Sequence, residues 1–390
     1  MGKTIFIISG EESGDLHGAS LIHALKRIDP SLSVHGMGGV RMREAGLVGP
    51  DSREVSVVGV VEVLEKLPTL WKTFQKIKSG LAAERPDALV LIDFPDFNLR
   101  VAKEAKKLGI PIIYYISPQV WAWRKGRIGK IAELVDRMLV VFPFEVAIYK
   151  AAGVAVEYVG HPLSDTTSCP LTRQEARAAL GLNSEGPVIS ILPGSRTGEV
   201  RRLLSTMLKA AEQIQKRLIE KPVFLLPAAG SIDDKVLAGF LKETFADVRV
   251  IRSAMYTALR ASDAAIVASG TATLETALIG TPMAIVYKMA ALSYGIARLL
   301  VDVEFVGLPN IVAGRKVVPE LIQEKATPEF ISTEIIDIIL DAGRTERIMQ
   351  GYAEVKEKLG TGGAADKAAL SIFDLIDKKS GPAEMPATEK

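Results

Sequence analysis

Short apolar runs recur along the chain, each closed by a turn rich in glycine, proline or acid and followed by apolar positions spaced three and four apart. In the first half they are Thr4–Ile8, Ser33–His35, Ala88–Ile92, Ile110–Ile116, Met138–Val141 and Val154–Val159. In the second half they are Val188–Leu192, Val223–Leu226, Val248–Ile251, Ala264–Ala268 and Met283–Val286. Runs with little polar interruption are the mark of strands buried on both faces, as in parallel sheets. Helical patterns fall between them: Leu16, Ala19, Leu21, Leu25 and Ile28 form one stripe, and Leu99–Leu108 ends at the C-cap signal Gly109. Strict strand–helix alternation predicts an α/β chain with two doubly wound parallel-sheet domains.

One stripe stands apart. Val60, Val63, Leu64, Leu67, Trp71 and Phe74 share a helix face, with Glu62, Glu65, Lys66, Lys72 and Lys76 on the other side. Pro68 interrupts the stripe and predicts two short helices, the second beginning there. Two readings stay open: a face turned to the core, or an element lying on a membrane surface or against acyl chains, with Trp71 at the interface.

Gly160 to Pro170 holds two prolines and little periodicity and reads as a hinge, after which Thr172 and Glu175 form a capping-box signature. The predicted organisation is therefore a first domain over 1–165, a second over 166–345, a helical segment over 346–377, and a polar, disordered tail over 378–390. A length of 390 residues and a hydrophobic content of 48% suit two full cores. Forty-eight basic against 46 acidic residues leave +2, so no net field draws the chain to nucleic acid. Cys169 is the only cysteine, which excludes an internal disulfide and fits a reducing cytoplasm. Neither a signal peptide nor an apolar run long enough for a transmembrane helix is present, so any membrane contact is peripheral.

In open α/β sheets ligands gather at the carboxyl ends of the strands. Five unusual motifs fall there: Gly10–Asp15, Asp93–Asn98, Ser117–Trp123, Gly194–Arg196 and Ser269–Glu275. Together they point to a cleft between the domains. None is G-x-G-x-x-G or G-K-[ST], so neither the dinucleotide fingerprint nor the ATP-type loop is present. Leu192 to Arg202 (LPGSRTGEVRR) reads as strand, glycine turn and helix. Gly194 and Gly198 let the backbone turn, and the free amides of the next helix suit a diphosphate, with Arg196 as a charged donor. The alternative is an ordinary βα turn with a surface arginine. Ser269, Gly270, Thr271, Ala272, Thr273, Leu274 and Glu275 open a second such helix. There Glu275 either accepts from a ribose diol or merely complements the helix dipole. Asp93 is a general-base candidate at the end of an apolar strand, and Asp96 a helix N-cap candidate. His17 and His161 are weak candidates. No D-x-D, histidine pair or cysteine set offers a metal site, and no cofactor is expected.

Six motifs together resemble one family: S-G-E-E-S-G-D at 9–15, D-F-P-D-F-N at 93–98, Y-I-S-P-Q-V-W-A-W-R at 115–124, L-P-G-S-R at 192–196, A-S-G-T-A-T-L-E at 268–275 and L-P-N-x-x-A-G at 308–314. The family is lipid-A-disaccharide synthase (LpxB), glycosyltransferase family 19, and the likeness runs from about Thr4 to about Gln323. The resemblance implies a GT-B fold with the donor nucleotide in the second half. It also implies an inverting transfer from UDP-2,3-diacylglucosamine to 2,3-diacylglucosamine 1-phosphate (lipid X), giving a β-1′,6-linked disaccharide and UDP. It implies that Asp93 is the base for the acceptor 6-hydroxyl, and that Arg196, Glu275 and Asn310 contact UDP, beside Gly194 and Ser195. Glu11, Ser13, Asp15, Gln119, Trp121 and Trp123 become acceptor or cleft candidates. Val61, Val63, Leu64, Leu67, Leu70 and Trp71 match a patch linked to membrane association at the cytoplasmic face of the inner membrane. A homodimer is compatible with the resemblance. The basic run Arg124, Lys125, Arg127 and Lys130 offers contacts to headgroups or the acceptor phosphate, or is a plain solvated face. Two rivals remain: another GT-B UDP-sugar enzyme, such as a MurG-like transferase or a UDP-GlcNAc 2-epimerase, and a non-enzymatic binding module.

Overall fold

The computed structural model describes residues 2–52, 60–118, 126–182, 186–289 and 304–380, and within these not the side chains of 12, 60–67 and 380. Two compact units emerge, Met1–Pro162 with Gly362–Lys390, and Leu163–Thr361. The changeover at Pro162 lies inside the stretch read as a hinge.

In the first unit the strands are β1 (Thr4–Ser9), β2 (Ser33–Met37), β3 (Ala88–Ile92), β4 (Ile112–Tyr115), β5 (Arg137–Val140) and β6 (Val156–Tyr158). Every pairing is parallel and the order is β2-β1-β3-β4-β5-β6. The helices between are α1 (Glu12–Ile28), α2 (Val40–Glu44), α3 (Val60–Glu84), α4 (Pro95–Lys107), α5 (Arg127–Leu134) and α6 (Pro143–Ala151). β1 and β3 are almost wholly buried, as the uninterrupted apolar runs require. α3 corrects the expectation of two short helices: it is continuous with Pro68 inside it. Its second half is pinned to the core by Ile77 and Leu81, and burying large apolar groups at about 1.5–3 kcal/mol each offsets the roughly 3 kcal/mol a helix-interior proline costs.

The C-terminal helix, Ala364–Ser380, also belongs to this unit. It packs on α1, buries Ile372 and Ile376, pairs Asp377 with Lys3 at 2.5 Å, and accepts from Arg137 at the Ser371 carbonyl at 2.6 Å. The expected separate segment over 346–377 is thus divided, because each helix buries its apolar stripe on a different core. The helix runs on to Ser380, so the segment expected as a tail from 378 begins as helix; residues 381–390 lie outside the described ones.

In the second unit the strands are β7 (Val188–Leu192), β8 (Val223–Pro227), β9 (Val248–Ile251), β10 (Ala264–Ala268), β11 (Met283–Tyr287) and β12 (Glu320–Ile322). All are parallel, in the order β12-β11-β10-β7-β8-β9. Counted along the chain this is the doubly wound order of a dinucleotide-binding sheet. Its helices are α7 (Leu163–Thr166), α8 (Arg173–Ala179), α9 (Thr197–Arg217), α10 (Asp234–Leu241), α11 (Met255–Ala261), α12 (Thr271–Ile279), α13 (Leu308–Ala313), α14 (Pro328–Leu340) and α15 (Ala342–Leu359). Thr172 caps α8, with Glu175 bonding back to the Thr172 amide at 2.8 Å.

Candidate active site

Strand order fixes where a ligand site forms. In each sheet the chain winds outward in both directions from one neighbouring pair of strands, β1/β3 in the first and β7/β10 in the second. Ahead of the carboxyl ends of such a pair a crevice opens that no crossover helix covers. Glycine 10 and Asp93 follow β1 and β3. Gly194–Arg196 and Ser269–Gly270 follow β7 and β10.

At the first switch point the Gly10 amide donates to Asp93 Oδ1 at 3.5 Å. A Cβ placed on Gly14 would lie 2.2 Å from both Asp93 Oδ2 and Ser9 Oγ, and one on Gly10 would lie 2.4 Å from the Phe94 ring. The glycines of the 9–15 motif are therefore what lets Asp93 and Phe94 lie against β1's exit. Both residues are left-handed, with φ of 43° and 40°, a conformation that costs a non-glycine residue on the order of 1–3 kcal/mol. Their backbone is held from two sides: Asn98 Nδ2 donates to the Asp93 carbonyl at 2.7 Å and the Tyr114 hydroxyl donates to the same oxygen at 2.5 Å. Burial pushes the Asp93 carboxyl well above the usual aspartate range, and the Glu11 charge adds to the rise, against the bond from Gly10. A carboxylate of raised pKa is the stronger base.

Other candidates separate here. Glu11 and Ser13 are exposed at the start of α1. Asp15 is buried and accepts from the Arg41 and Met42 amides at 3.1 and 3.0 Å, so its carboxylate caps α2. Asp96 is no N-cap: Phe94 occupies that position, and Asp96 sits in the first turn of α4, paired with Arg127. His17 and His161 are buried, and burial pushes them down to about 4 and about 3, so both are neutral at physiological pH. Gln119, Trp121 and Trp123, with Arg124 and Lys125, lie outside the described residues, as do the side chains of Val61, Val63, Leu64 and Leu67. Of that stripe, Leu70 packs partly buried against the core, whereas Trp71 is 62% exposed. A run of ring contacts leads inward from it: Trp71 on Phe74 at 5.8 Å, Phe74 on Phe97 at 6.2 Å, Phe97 on Phe94 at 5.3 Å. Among the described residues no helix is long and apolar enough to cross a membrane.

At the second switch point Gly194 has φ of 113°, and a Cβ there would lie 2.4 Å from Glu199 Oε2 and 2.9 Å from Glu199 Cβ. Gly198 is different: it sits in the first turn of α9, has no positive φ, and its Cβ would meet open space. Its value is room for approach, not a turn. The Ser231 hydroxyl ties down the Ser195 carbonyl at 2.7 Å. Arg196 is half-exposed and lies 3.6 Å from Glu199, whose carboxylate also faces the Arg196 amide at 3.4 Å. Beside this loop Ser269 Oγ donates to the Val306 carbonyl at 2.8 Å, and Gly270, at φ 149°, begins α12. Thr273 Oγ1 closes back on the Gly270 carbonyl, and Thr273 and Leu274 are fully buried. The Thr271 and Ala272 amides have no acceptor within the helix. The starts of α9 and α12 follow the neighbouring strands β7 and β10, with Arg196 at the N-cap of α9, an arrangement suited to a diphosphate. One turn along, Glu275 accepts from the Tyr256 hydroxyl at 2.7 Å, and burial raises its pKa.

Asn310 does not join them. Its Oδ1 accepts from the Val317 and Val318 amides at 2.7 and 2.9 Å, and its Nδ2 donates to the Val318 carbonyl and Glu320 at 3.0 and 2.8 Å. With no exposure and all four positions filled, it braces a loop together with Glu320, which also holds the Val306 and Gly307 amides.

The chain matches the lipid-A-disaccharide synthetase family (LpxB) over residues 5–372. The lipid-A-disaccharide synthase of Syntrophus aciditrophicus (strain SB) is 47% identical over 383 residues, 96% of this chain and 98% of that protein. That of Geobacter metallireducens (strain ATCC 53774 / DSM 7210 / GS-15) is 46% identical, covering 97% and 98%. The chain belongs to the lipid-A-disaccharide synthase family. It is accordingly an enzyme, a glycosyltransferase of lipid A biosynthesis. Solved structures agree on the fold alone. A Staphylococcus aureus MnaA–UDP co-structure superposes with a TM-score of 0.65 at 12% identity, over 99% of this chain and 100% of that one. MurG of Acinetobacter baumannii gives 0.57 at 15%, over 97% and 100%. Both support a GT-B chain of two Rossmann-like domains, the fold in which the epimerase and MurG-like rivals are also built.

Proposed function

We propose that this family member transfers 2,3-diacylglucosamine from its UDP donor to the 6-hydroxyl of 2,3-diacylglucosamine 1-phosphate. The observation that carries the reading is the occupancy of both switch points: a held, burial-raised carboxylate at one, and glycine turns, free amides and an arginine at the other. The acceptor oxygen attacks the anomeric carbon as the bond from that carbon to the diphosphate oxygen breaks, inverting the configuration. Asp93 takes the hydroxyl proton. The negative charge that grows on the leaving UDP is met by the amides at the starts of α9 and α12 and by Arg196, donors already in place before the reaction. Glu275 accepts from the ribose. Membrane contact is assigned to α3 around its exposed Trp71, with the aromatic run behind that ring suited to acylated substrates, at the cytoplasmic face of the inner membrane.

The test is the purified protein with UDP-diacylglucosamine and lipid X. UDP release that requires both, and that is lost when the acyl chains are removed from the acceptor, is the expected result. Release without an acceptor, or with a deacylated one, overturns it.

A further inference from the structure

We infer that Tyr256 is the positioning residue that fixes Glu275 for a ribonucleotide's ribose, anchored in turn by Thr167; this rests on Glu275 meeting the ribose as proposed above. Glu275 is a half-buried carboxylate at the second switch point, and among the described residues no lysine, arginine or histidine pairs with it. Its one hydrogen bond to a described residue is the 2.7 Å bond from the Tyr256 hydroxyl to Oε1. Tyr256 lies in α11, which packs on α12, and its hydroxyl is 3.4 Å from Thr167 Oγ1. Thr167 is itself buried, just past α7. A buried threonine and a partly buried phenol and carboxylate thus form a short relay along which each oxygen limits the next.

A glutamate side chain has several rotatable bonds, and ordering it on a sugar costs entropy each time a ligand binds. A phenol that already holds one carboxylate oxygen removes part of that cost and leaves the other oxygen to accept from the ribose hydroxyls. The phenol does a second job, since burial favours a protonated Glu275 and the Tyr256 bond opposes that. An ionised, oriented acceptor discriminates against a sugar lacking one hydroxyl, because a buried polar group is then left unpaired. The ligand class that fits is a nucleoside diphosphate with an intact 2′,3′-diol.

The experiment is calorimetric binding of UDP and 2′-deoxy-UDP, from acid to neutral pH, to the full-length chain and to Glu275→Gln, Tyr256→Phe and Thr167→Val. Tyr256→Phe is expected to weaken UDP about tenfold, the order for one hydrogen bond to a charged group. It should also shrink the preference for UDP over 2′-deoxy-UDP and move the loss of UDP affinity on acidification to higher pH. Thr167→Val should shift the same quantities the same way by less. If Glu275→Gln leaves UDP binding unchanged, the ribose role itself fails. If Glu275→Gln weakens UDP while Tyr256→Phe keeps the wild-type affinity, sugar preference and pH midpoint, Tyr256 is packing and the inference fails. Should Tyr256→Phe not fold, wild-type preference and midpoint in Thr167→Val overturn the relay.

Discussion

The sheet end after β1 and β3 and the one after β7 and β10 share a topology and carry opposite chemistry. After β3 the chain puts an aspartate in a left-handed conformation, beside a second acid, Glu11, and braces its carbonyl with Asn98 and Tyr114. After β7 it puts a glycine, and the side chain that returns over that glycine belongs to Glu199, one turn into the helix, with Arg196 exposed beside it. A crevice of this kind is neutral ground. Whether it suits a base or an anion depends on the turn that leaves the strand: a strained carboxylate takes protons, whereas a glycine one residue further on lets amides approach a phosphate.

The sharpest way to separate the two ends is Asp93→Asn. Turnover should fall by roughly 10²–10⁴-fold while UDP binds as before; unchanged turnover removes the base. The same variant should melt at a higher temperature at neutral pH. A carboxyl whose pKa is raised by folding contributes stability below its unfolded pKa and loses it as pH rises through the folded one, so at neutral pH, above its unfolded pKa, Asp93 opposes the fold. A lower melting temperature would count against the strain and burial described. Arg196→Ala should act at the other end, weakening UDP by roughly ten- to hundredfold, the worth of a charge-assisted bond, with little effect on the acid limb of the pH–rate profile. Equal UDP affinity by calorimetry contradicts the loop's role. Gly194→Ala should cost about 1–3 kcal/mol of stability through its positive φ and the contact with Glu199, and Gly198→Ala much less. The smallest effect is expected of Glu11→Gln, which removes the neighbouring charge and should lower the pH at which activity is lost to acid, since Asp93 then ionises more readily.

Much of this was legible in the sequence. Strands buried on both faces announce themselves as apolar runs, and of the five strand-end motifs four fall at the two switch points, Gly10–Asp15 and Asp93–Asn98 at one and Gly194–Arg196 and Ser269–Glu275 at the other. β12 escaped because it is three residues long and bounded by Glu320 and Gln323. The continuity of α3 escaped because local proline chemistry argues for a break, and the packing of Ile77 and Leu81 is invisible locally. Asp15 and Asn310 show the harder limit. Polar residues within striking motifs serve as a helix cap and a loop brace here, and only their partners, Arg41 and Met42 or Val317 and Val318, reveal it. The converse holds for Tyr114 and Tyr256, which stand in no motif and touch Asp93 and Glu275 from other elements.

The C-terminal helix has a consequence for synthesis. It covers α1 of a unit whose six strands lie within the opening Met1–Pro162 stretch. A ribosome must therefore make the whole of Leu163–Thr361 before that cover exists, roughly 200 residues, or roughly 10–40 s at roughly 5–20 residues per second. For that interval the nascent chain carries an apolar helix face with no mate, which is the kind of surface trigger-type chaperones hold.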